Sequence, residues 1–197
     1  MGKSVSDPGA KLFRDAMASF ASGVNVVSVW DGDGRPYGMT ASAFTSVSVD
    51  PQLVLVCLNR GCRTYREIRA ESAFGVNILG QQGREIADHC ARPGVDKTLP
   101  ADWLRGPTLN ESGNESAPHL RDALAFVDCA LDSEIPAGGH AILVGSVRSI
   151  RLAESGQAPL VYFRGGYRRI SEHPDGRLRA ATAQTHPQIH DQRKVQA

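Results

Sequence analysis

The 197-residue sequence lacks the features that mark several classes of protein. No apolar run approaches the roughly 20 residues that a helix needs to cross a bilayer, and the N-terminus has no apolar segment of a secretory signal. The formal net charge is only +1, so neither a nucleic acid nor a membrane surface is an expected partner. From these absences we expect a cytoplasmic protein, and the length suits a single domain.

Cysteine is scarce as well, and none of the four, Cys57, Cys62, Cys90 and Cys129, is spaced as a CxxC pair. No histidine is placed to complete a zinc site with them, so no metal site is expected. A GxGxxG dinucleotide motif is also lacking, because Tyr37 occupies the position of its third glycine. We therefore expect reduced cysteines and no Rossmann-type nucleotide site.

What the sequence does contain is a series of apolar strand-like segments joined by short turns. Residues 24–30 and the turn "DGDG" predict a hairpin, and residues 11–21 predict an amphipathic helix before it. Further strands are predicted at 52–58, 73–79, 123–135, 140–152 and 159–163, and short helices near 64–71 and 81–90. Long strands with few helices favour a mainly β fold, an antiparallel barrel, over repeated βαβ units.

Composition divides the chain into three parts. Residues 1–10 are predicted to be an N-terminal extension, 11–170 the folded domain, and 171–197 a polar, mobile tail that carries three of the six histidines. Within the domain, residues 92–122 are rich in Pro, Gly, Asn and Ser and are predicted to form a long loop. For the histidines of the tail, a solvated segment is favoured over a metal site.

The stretch "MTASAFTSVSVDP", residues 39–51, has the rhythm of a strand but carries five hydroxyl side chains. As one strand, its faces would be formed by Ala41, Ala43, Val47 and Val49 and by Thr40, Ser42, Phe44, Ser46 and Ser48. A solvated outer face would explain the hydroxyls. Small side chains would also let a flat ring approach the backbone, where hydroxyls and peptide groups could bond its N and O atoms. The spacing alone leaves both interpretations open.

The next predicted strand ends in "NRGCRTYREI", residues 59–68, which predicts a loop followed by a helix. Thr64 can cap this helix, and Glu67 would complete a capping box. A helix N-terminus carries free N–H groups and partial positive charge, and Arg60 and Arg63 would add to it, so the segment favours a phosphate. An ordinary capped surface helix is the alternative. Together the two segments fit a flat heterocycle that carries a phosphate.

Several segments of the chain carry a resemblance to a known family. In chain order they are "GMTASAFTSVSVDPQLVLVCLNRGCRT", "FGVNIL", "GPTL", "AFVDCAL", "GGHAILVGSV" and "VYFRGGY". The set resembles the flavin reductase-like family, the small FMN or FAD reductases that serve two-component monooxygenases, and covers about residues 11–170. The resemblance implies a Greek-key, FMN-binding split β-barrel with a few short helices, a homodimer, and flavin bound near the dimer interface.

The resemblance also implies a set of flavin-binding residues. Residues of the hydroxyl-rich stretch would line the isoalloxazine ring: Met39, Thr40, Ala41 and Ser42. The loop and the helix start would hold the ribityl-phosphate end: Asn59, Arg60, Cys62, Arg63 and Thr64. Cys62 stands where the family usually has serine, and Cys90 and Ala91 stand where it commonly has Phe-Ala.

For the nicotinamide, the resemblance implies Gly139, His140 and Tyr167. The family often reads Gly-Asp-His where this chain reads "GGH", so Gly139 replaces an acid and His140 is kept. The implied reaction is hydride transfer from NADH directly to FAD or FMN, with no catalytic residue of the protein, and release of reduced flavin to a partner monooxygenase. NADH is favoured over NADPH because the sequence shows no basic cluster dedicated to the 2′-phosphate.

Two alternative functions stay open on the sequence. A non-catalytic flavin-binding module of the same barrel is favoured by the missing acid at Gly139. An oxidase resembling the pyridoxamine-phosphate oxidases would share the split barrel, but the motif "NRGCRT" matches the reductases instead. NADH oxidation measured with and without free flavin would distinguish the three.

Overall fold

The computed structural model of the protein describes residues 8–106, 116–153, 157–172 and 178–180. Most of the predicted N-terminal extension and of the predicted tail lies outside these residues, and so do the three histidines of the tail. Among the described residues, no helix is long and apolar enough to span a membrane. The same part of the chain holds no group of three or more His, Cys, Asp or Glu residues arranged to bind a metal ion.

The described residues form mostly β-strands. In chain order these are β1 (Ser22–Gly23), β2 (Asn25–Trp30), β3 (Pro36–Ala41), β4 (Phe44–Val49), β5 (Gln52–Asn59), β6 (Ala73–Leu79), β7 (Ala123–Ala137), β8 (His140–Leu152), β9 (Leu160–Phe163), β10 (Gly166–Glu172) and β11 (Leu178–Ala180). The α-helices are α1 (Pro8–Ala18), α2 (Arg63–Glu71) and α3 (Arg84–Ala91). Each predicted strand and helix is present, with small differences at the ends.

The strands are arranged in two antiparallel sheets. One has seven strands in the order β3-β2-β6-β7-β8-β5-β4, and the other has four in the order β1-β9-β10-β11. The backbone of Val24 connects them, because its N–H donates to Leu160 in β9 and its carbonyl accepts from Leu79 in β6. The pairings of the described strands do not close the sheets into one barrel. The prediction of a mainly β fold with a few short helices is confirmed.

The main apolar core surrounds the fully buried ring of Phe74 in β6. Gly145 in β8 makes room for this ring, since a Cβ at that position would lie 2.6 Å from its Cζ atom. Helix α2 contributes Tyr65 and Ile68 to the same core. A second apolar cluster lies beneath helix α3, so both helices that flank the candidate site are anchored by buried side chains.

The end of the predicted 92–122 loop is hydrogen-bonded to the sheet through a buried side-chain amide. Asn77, fully buried in β6, donates to the hydroxyl of Ser28 at 2.9 Å and accepts from the backbone of Leu120 at 2.8 Å. Ser28 in turn donates to the carbonyl oxygen of Pro118 at 2.7 Å. These bonds satisfy a buried amide and hold residues 116–120 in the interior, where their loop-like composition gave no sign of burial.

The stretch 39–51 is not one strand, so the prediction of two continuous alternating faces is wrong. Strand β3 ends at Ala41 and β4 begins at Phe44, whose N–H bonds back to the carbonyl of Ser42 at 3.1 Å. A register shift between Ser46 and Ser48 breaks the alternation again. As a result Val49, expected on a common apolar face with Ala41, is 85% exposed.

Two further segments differ from expectation. Helix α1 is amphipathic as predicted, yet none of its residues is buried, and Leu12, Phe13 and Met17 are exposed. Strand β10 continues to Glu172 and pairs with β11 at residues 178–180. The first part of the segment predicted as a mobile tail is therefore paired, because β-pairing uses backbone groups that the polar composition does not reveal.

Candidate functional site

A cavity of about 360 Å³ opens beside β3, where helix α3 and the second sheet meet. Predicted flavin and nicotinamide residues make up most of its lining: Met39, Thr40, Ala41, Ser42, Cys90, Ala91 and Tyr167. Val24, Lys97 and Tyr162 complete it, and none of these three was a predicted site residue. The structure thus brings the predicted ring-binding stretch together with the residues that end helix α3.

The floor of this cavity lies close to helix α3 because Gly38 has no side chain. A Cβ at Gly38 would lie 2.9 Å from Leu99 and 3.1 Å from the sulfur of Cys90. Cys90 is fully buried, and burial raises the pKa of its thiol to about 12. The thiol therefore stays protonated and serves as an apolar packing group beneath the floor.

The two hydroxyls of the floor, those of Thr40 and Ser42, differ in whether they form a hydrogen bond. Thr40 in β3 donates from its Oγ1 atom to the carbonyl oxygen of Ala87 at 2.7 Å, which ties the strand to helix α3. Ser42 follows the end of the strand and is exposed, and its hydroxyl forms no hydrogen bond within the part of the chain that the structure describes. Ser42 is therefore the floor hydroxyl that is free to bind a ligand.

An aromatic pair forms the rim of the cavity. Tyr162 in β9 and Tyr167 in β10 are cross-strand partners whose ring centroids lie 5.7 Å apart in an edge-to-face arrangement. The guanidinium of Arg84 lies 5.8 Å from the centroid of Tyr167, and burial raises the pKa of that phenol. Tyr162 was missed as a site residue, although it belongs to the motif "VYFRGGY" on which the resemblance rests.

The loop that leads into helix α2 is capped differently from the prediction. Cys62 is the N-cap, with extended backbone angles, and its sulfur accepts the N–H of Tyr65 at 3.4 Å. The helix has already begun at Arg63, so Thr64 is a buried first-turn residue and the predicted Thr64 cap is wrong. Glu67 does not complete a capping box, since its carboxylate bonds Arg63 at 3.3 Å.

The two arginines predicted for the phosphate end are in contrasting surroundings. Arg63 donates to Asp31 at 2.5 Å and to Glu67, and its guanidinium lies 4.6 Å from the ring centroid of Tyr37. Its charge is therefore balanced by two carboxylates. The side chain of Arg60 is exposed and has no hydrogen bond or ion pair with any described residue. Arg60 is the cation of this loop that is free to bind an anion.

The residues predicted for the nicotinamide fall in two places. Gly139 and His140 are exposed at the turn between β7 and β8, next to the helix-α2 loop. There the N–H of Arg60 donates to the carbonyl of Gly139 at 3.0 Å, and Asn59 pairs with His140 across β5 and β8. Tyr167 instead lines the cavity beside β3. The described contacts do not join Tyr167 to the other two.

Two other cavities are less suited to the predicted ligand. One of about 610 Å³ contains Asp31 and Arg148, whose charges are already paired with Arg63 and with Asp128. Another of about 260 Å³ is lined by Trp30 and by His119, which stacks on Phe126. Burial, with smaller contributions from nearby arginines, lowers the pKa of His119 to about 4, so this imidazole is neutral at pH 7.

The residues of the cavity beside β3 fit the ring end of a flavin. Its volume lies in the range of about 300–1,000 Å³ that small-molecule sites occupy. It offers a flat floor of small side chains, a free hydroxyl at Ser42, a half-buried cation at Lys97 and an aromatic rim. The fold and this cavity together define a mainly β protein whose cavity has the size and lining that a flat heterocycle would need.

The comparisons with known proteins identify the family. The family model described as flavin reductase like domain matches residues 17–171, and the chain belongs to this family. A probable flavin reductase of Rhizobium meliloti (strain 1021) is 38% identical over 167 residues, which are 85% of this chain and 50% of that protein. The chain therefore spans about half the length of this curated relative.

Two further matches cover at least 78% of the relative. The reductase component of the 4-nitrophenol 4-monooxygenase/4-nitrocatechol 2-monooxygenase of Rhodococcus opacus is 38% identical over 156 residues, 79% of this chain and 78% of that protein. The solved structure of the Streptomyces globisporus C-1027 NADH:FAD oxidoreductase SgcE6 in complex with NAD and FAD fragments has a TM-score of 0.72. That match has 30% identity and covers 88% of this chain and 99% of the other.

Proposed function

We propose that the protein is an NADH-dependent flavin reductase that binds FAD or FMN as a diffusible substrate and supplies the reduced form to a separate monooxygenase. The observation that carries this proposal is the cavity over Met39–Ser42, because its small floor and aromatic rim fit an isoalloxazine ring. The relatives support it, since one is named as a reductase component of a monooxygenase and another as an NADH:FAD oxidoreductase.

The ring end would be held by the floor and rim of the cavity. A bound flavin supplies a hydride acceptor at N5, so the chain need not provide a nucleophile or a general base. The backbone of Met39 to Ala41 would orient the ring, and the free Ser42 hydroxyl would donate to its polar edge near N5 and O4. Tyr162 and Tyr167 would restrict access of water at the rim. The contribution of these residues is orientation rather than proton transfer.

The phosphate end would be held by the loop before helix α2. Asn59 already bonds the N–H of Gly61 at 2.7 Å, which shapes the loop, and the first turn of the helix provides partial positive charge. Arg60 would supply the free cation, whereas Arg63, balanced by carboxylates, would act mainly by fixing the helix. Thr64 is only 1% exposed and its hydroxyl forms no hydrogen bond among the described residues, so a phosphate oxygen that reached this first turn would be its partner.

The nicotinamide would approach from the turn between β7 and β8. His140 is exposed there beside Asn59, and it would contact the nicotinamide or a phosphate of NADH rather than act as an acid. The described residues near His140 contain no cluster of cations for a 2′-phosphate, which favours NADH over NADPH. Cytoplasmic location is part of the proposal, and it is supported by four cysteines that are all free thiols.

A homodimer is also part of the proposal. Helix α1 exposes Leu12, Phe13 and Met17, and β4 exposes Val47 and Val49, which is more apolar surface than a single chain usually leaves open. A second copy that covered these side chains would bury them and could complete the site near its mouth. The domain itself is proposed to comprise residues 11–170, and 171–197 is proposed to be a polar segment that follows it and pairs with its second sheet at residues 178–180.

A flavin-binding module without turnover is the second candidate. The observation that favours it is the exposed Gly139, which leaves the turn beside His140 without the acid that the resembled family often has there. Such a module would bind FAD or FMN at the same cavity but would not oxidise NADH.

The deciding experiment is an anaerobic assay of the purified chain with NADH and either free FAD or free FMN. A reductase oxidises NADH only when flavin is added, loses flavin on dialysis, and supports a monooxygenase held behind a dialysis membrane. Flavin binding without NADH oxidation would contradict the reductase and support the flavin-binding module. NADH oxidation that does not increase with added flavin would contradict the diffusible-substrate proposal.

A further inference from the structure

Lys97 has a fixed position beside the floor of the cavity. Residues 97–99 lie along the edge of β3 that β2 leaves free, where the N–H of Gly38 donates to the carbonyl of Lys97 at 3.1 Å. The N–H of Leu99 donates to Pro36 at 2.8 Å, and Thr98 forms a bridge with Tyr37. Backbone pairing of Lys97 and of the two residues that follow it therefore holds Lys97 next to the start of the ring-binding stretch.

The ammonium group of Lys97 has no counter-ion in the described part of the chain. Its side chain is half-buried in the cavity lining and forms no ion pair or hydrogen bond there. The neighbouring carboxylate of Asp96 is engaged elsewhere, with the N–H of Thr98 at 3.1 Å and its hydroxyl at 2.9 Å. By contrast, Arg63 and Arg148 are both paired with buried aspartates.

A half-buried cation without a partner loses part of its hydration, and no group in the described part of the chain replaces it. Both Lys97 and Cys90 line the cavity, and the charge of Lys97 lowers the pKa of the buried Cys90 thiol against the larger effect of burial. A ligand that carries negative charge in the cavity would offset the lost hydration. An oxidised isoalloxazine ring is neutral and would do so only weakly.

We propose that Lys97 is the residue that stabilises the negative charge of the reduced flavin ring in this cavity. The inference rests on the proposed function. A hydride, which is a proton with two electrons, would pass from NADH to N5 of the bound ring, and NADH would become NAD⁺. The ring would then carry one negative charge, shared by N1 and the C2 carbonyl. An ammonium at that edge favours the reduced over the oxidised ring, and therefore favours the direction of transfer.

The test compares the affinity of wild-type protein and Lys97→Met for oxidised FAD and for FAD reduced with dithionite, both by anaerobic titration. An opposite charge within about 4–6 Å changes an ionisation equilibrium by roughly tenfold or more, so we expect the reduced form to lose about tenfold in affinity. The oxidised form should lose much less. The bound reduction potential should fall accordingly, and Lys97→Arg should restore most of the difference.

Lys11→Met is the matched control, because Lys11 lies on exposed helix α1 in a pair with Asp15 and its loss removes the same charge. It should leave both affinities unchanged. Should Lys97→Met fail to fold, Lys97→Gln serves in its place. Equal losses for oxidised and reduced FAD would overturn the role of Lys97 and leave the proposed function standing. Failure of the wild-type chain to bind either form would overturn both.

Discussion

The hydroxyl of Thr40 donates a hydrogen bond of 2.7 Å to the backbone carbonyl of Ala87. This bond joins the strand that forms the cavity floor to the helix that forms its wall, and the two residues are 47 positions apart in the chain. The Thr40 hydroxyl, predicted from the sequence to contact a ligand, therefore joins two elements of the site instead.

Replacing Thr40 with valine tests this relationship. The change keeps the shape of the side chain but removes the donor, so we expect the free energy of unfolding to fall by about 1 kcal/mol. Flavin affinity should fall as well, because helix α3 is no longer tied to the floor. Thr40→Ser keeps the donor and should retain both properties. Urea unfolding and flavin titration measure them, and a Thr40→Val protein of unchanged stability would contradict the assignment.

Replacing Cys62 with serine tests the corrected cap of helix α2. Serine oxygen accepts a hydrogen bond from the Tyr65 N–H better than sulfur does, so stability should rise by about 0.5–1 kcal/mol. Flavin affinity should be equal or tighter, since the loop keeps its shape. Cys57→Ser is the matched control, because Cys57 is another half-buried cysteine but lies within β5 and caps no helix. A destabilised Cys62→Ser protein would show that the sulfur contributes packing instead.

The elements of this fold could be predicted because their signals are local. The apolar runs of β6 and β8 and the small residues of β3 lie in continuous stretches, and the predicted strand 73–79 has the bounds of β6. The predicted cap of helix α2 was wrong by two residues. Cys62 precedes the helix and Thr64 lies in its first turn, and threonine is a common N-cap residue whereas cysteine is not.

The parts of the site that could not be predicted depend on distant residues. Asp31 lies in a hairpin turn, and nothing local shows that it neutralises Arg63, which is 32 positions away. Lys97 lies in a segment that reads as a loop, and only its pairing with Gly38 brings it to the cavity. Tyr167 and His140 are likewise separated because β10 belongs to the four-stranded sheet and β8 to the seven-stranded sheet. The spacing of the two residues in the sequence does not indicate this.

The buried imidazole of His119 predicts a pH-dependent stability. Its pKa is lowered from 6.5 to about 4, so the unfolded chain binds a proton as the pH falls through 6.5 and the folded chain does not. The free energy of unfolding should therefore decrease on acidification, by about 2 kcal/mol between pH 7 and pH 5 from this residue. His119→Phe keeps a ring against Phe126 and removes the titration, and Nδ1 has no hydrogen bond in the described residues to lose.

Urea unfolding at the two pH values checks this prediction. The wild-type protein should lose more stability than His119→Phe over the same interval, while the two should be similar at neutral pH. Equal pH dependence in both proteins would mean that His119 is not responsible for it, and carboxylates elsewhere would then account for any loss.

The exposed face of helix α1 predicts how the chain assembles. Leu12, Phe13 and Met17 are 72%, 65% and 55% exposed, although the helix is amphipathic and its apolar side would ordinarily face a core. The helix is nevertheless attached to its own domain, because the N–H of Arg164 donates to the carbonyl of Ala18 at 2.8 Å. We expect a second copy of the chain to cover this face, as the proposed homodimer requires.

The double substitution Phe13→Glu and Met17→Glu should therefore convert a dimer into a monomer, because it places two charges in a contact that must lose its water. Arg14→Glu is the matched control, since it introduces the same side chain at an exposed polar position of the same helix and should leave the dimer intact. Light scattering at micromolar concentration measures the mass, and circular dichroism checks that each variant is folded. A wild-type chain that is already monomeric under these conditions would contradict the prediction, and a double variant that stays dimeric would move the contact away from helix α1.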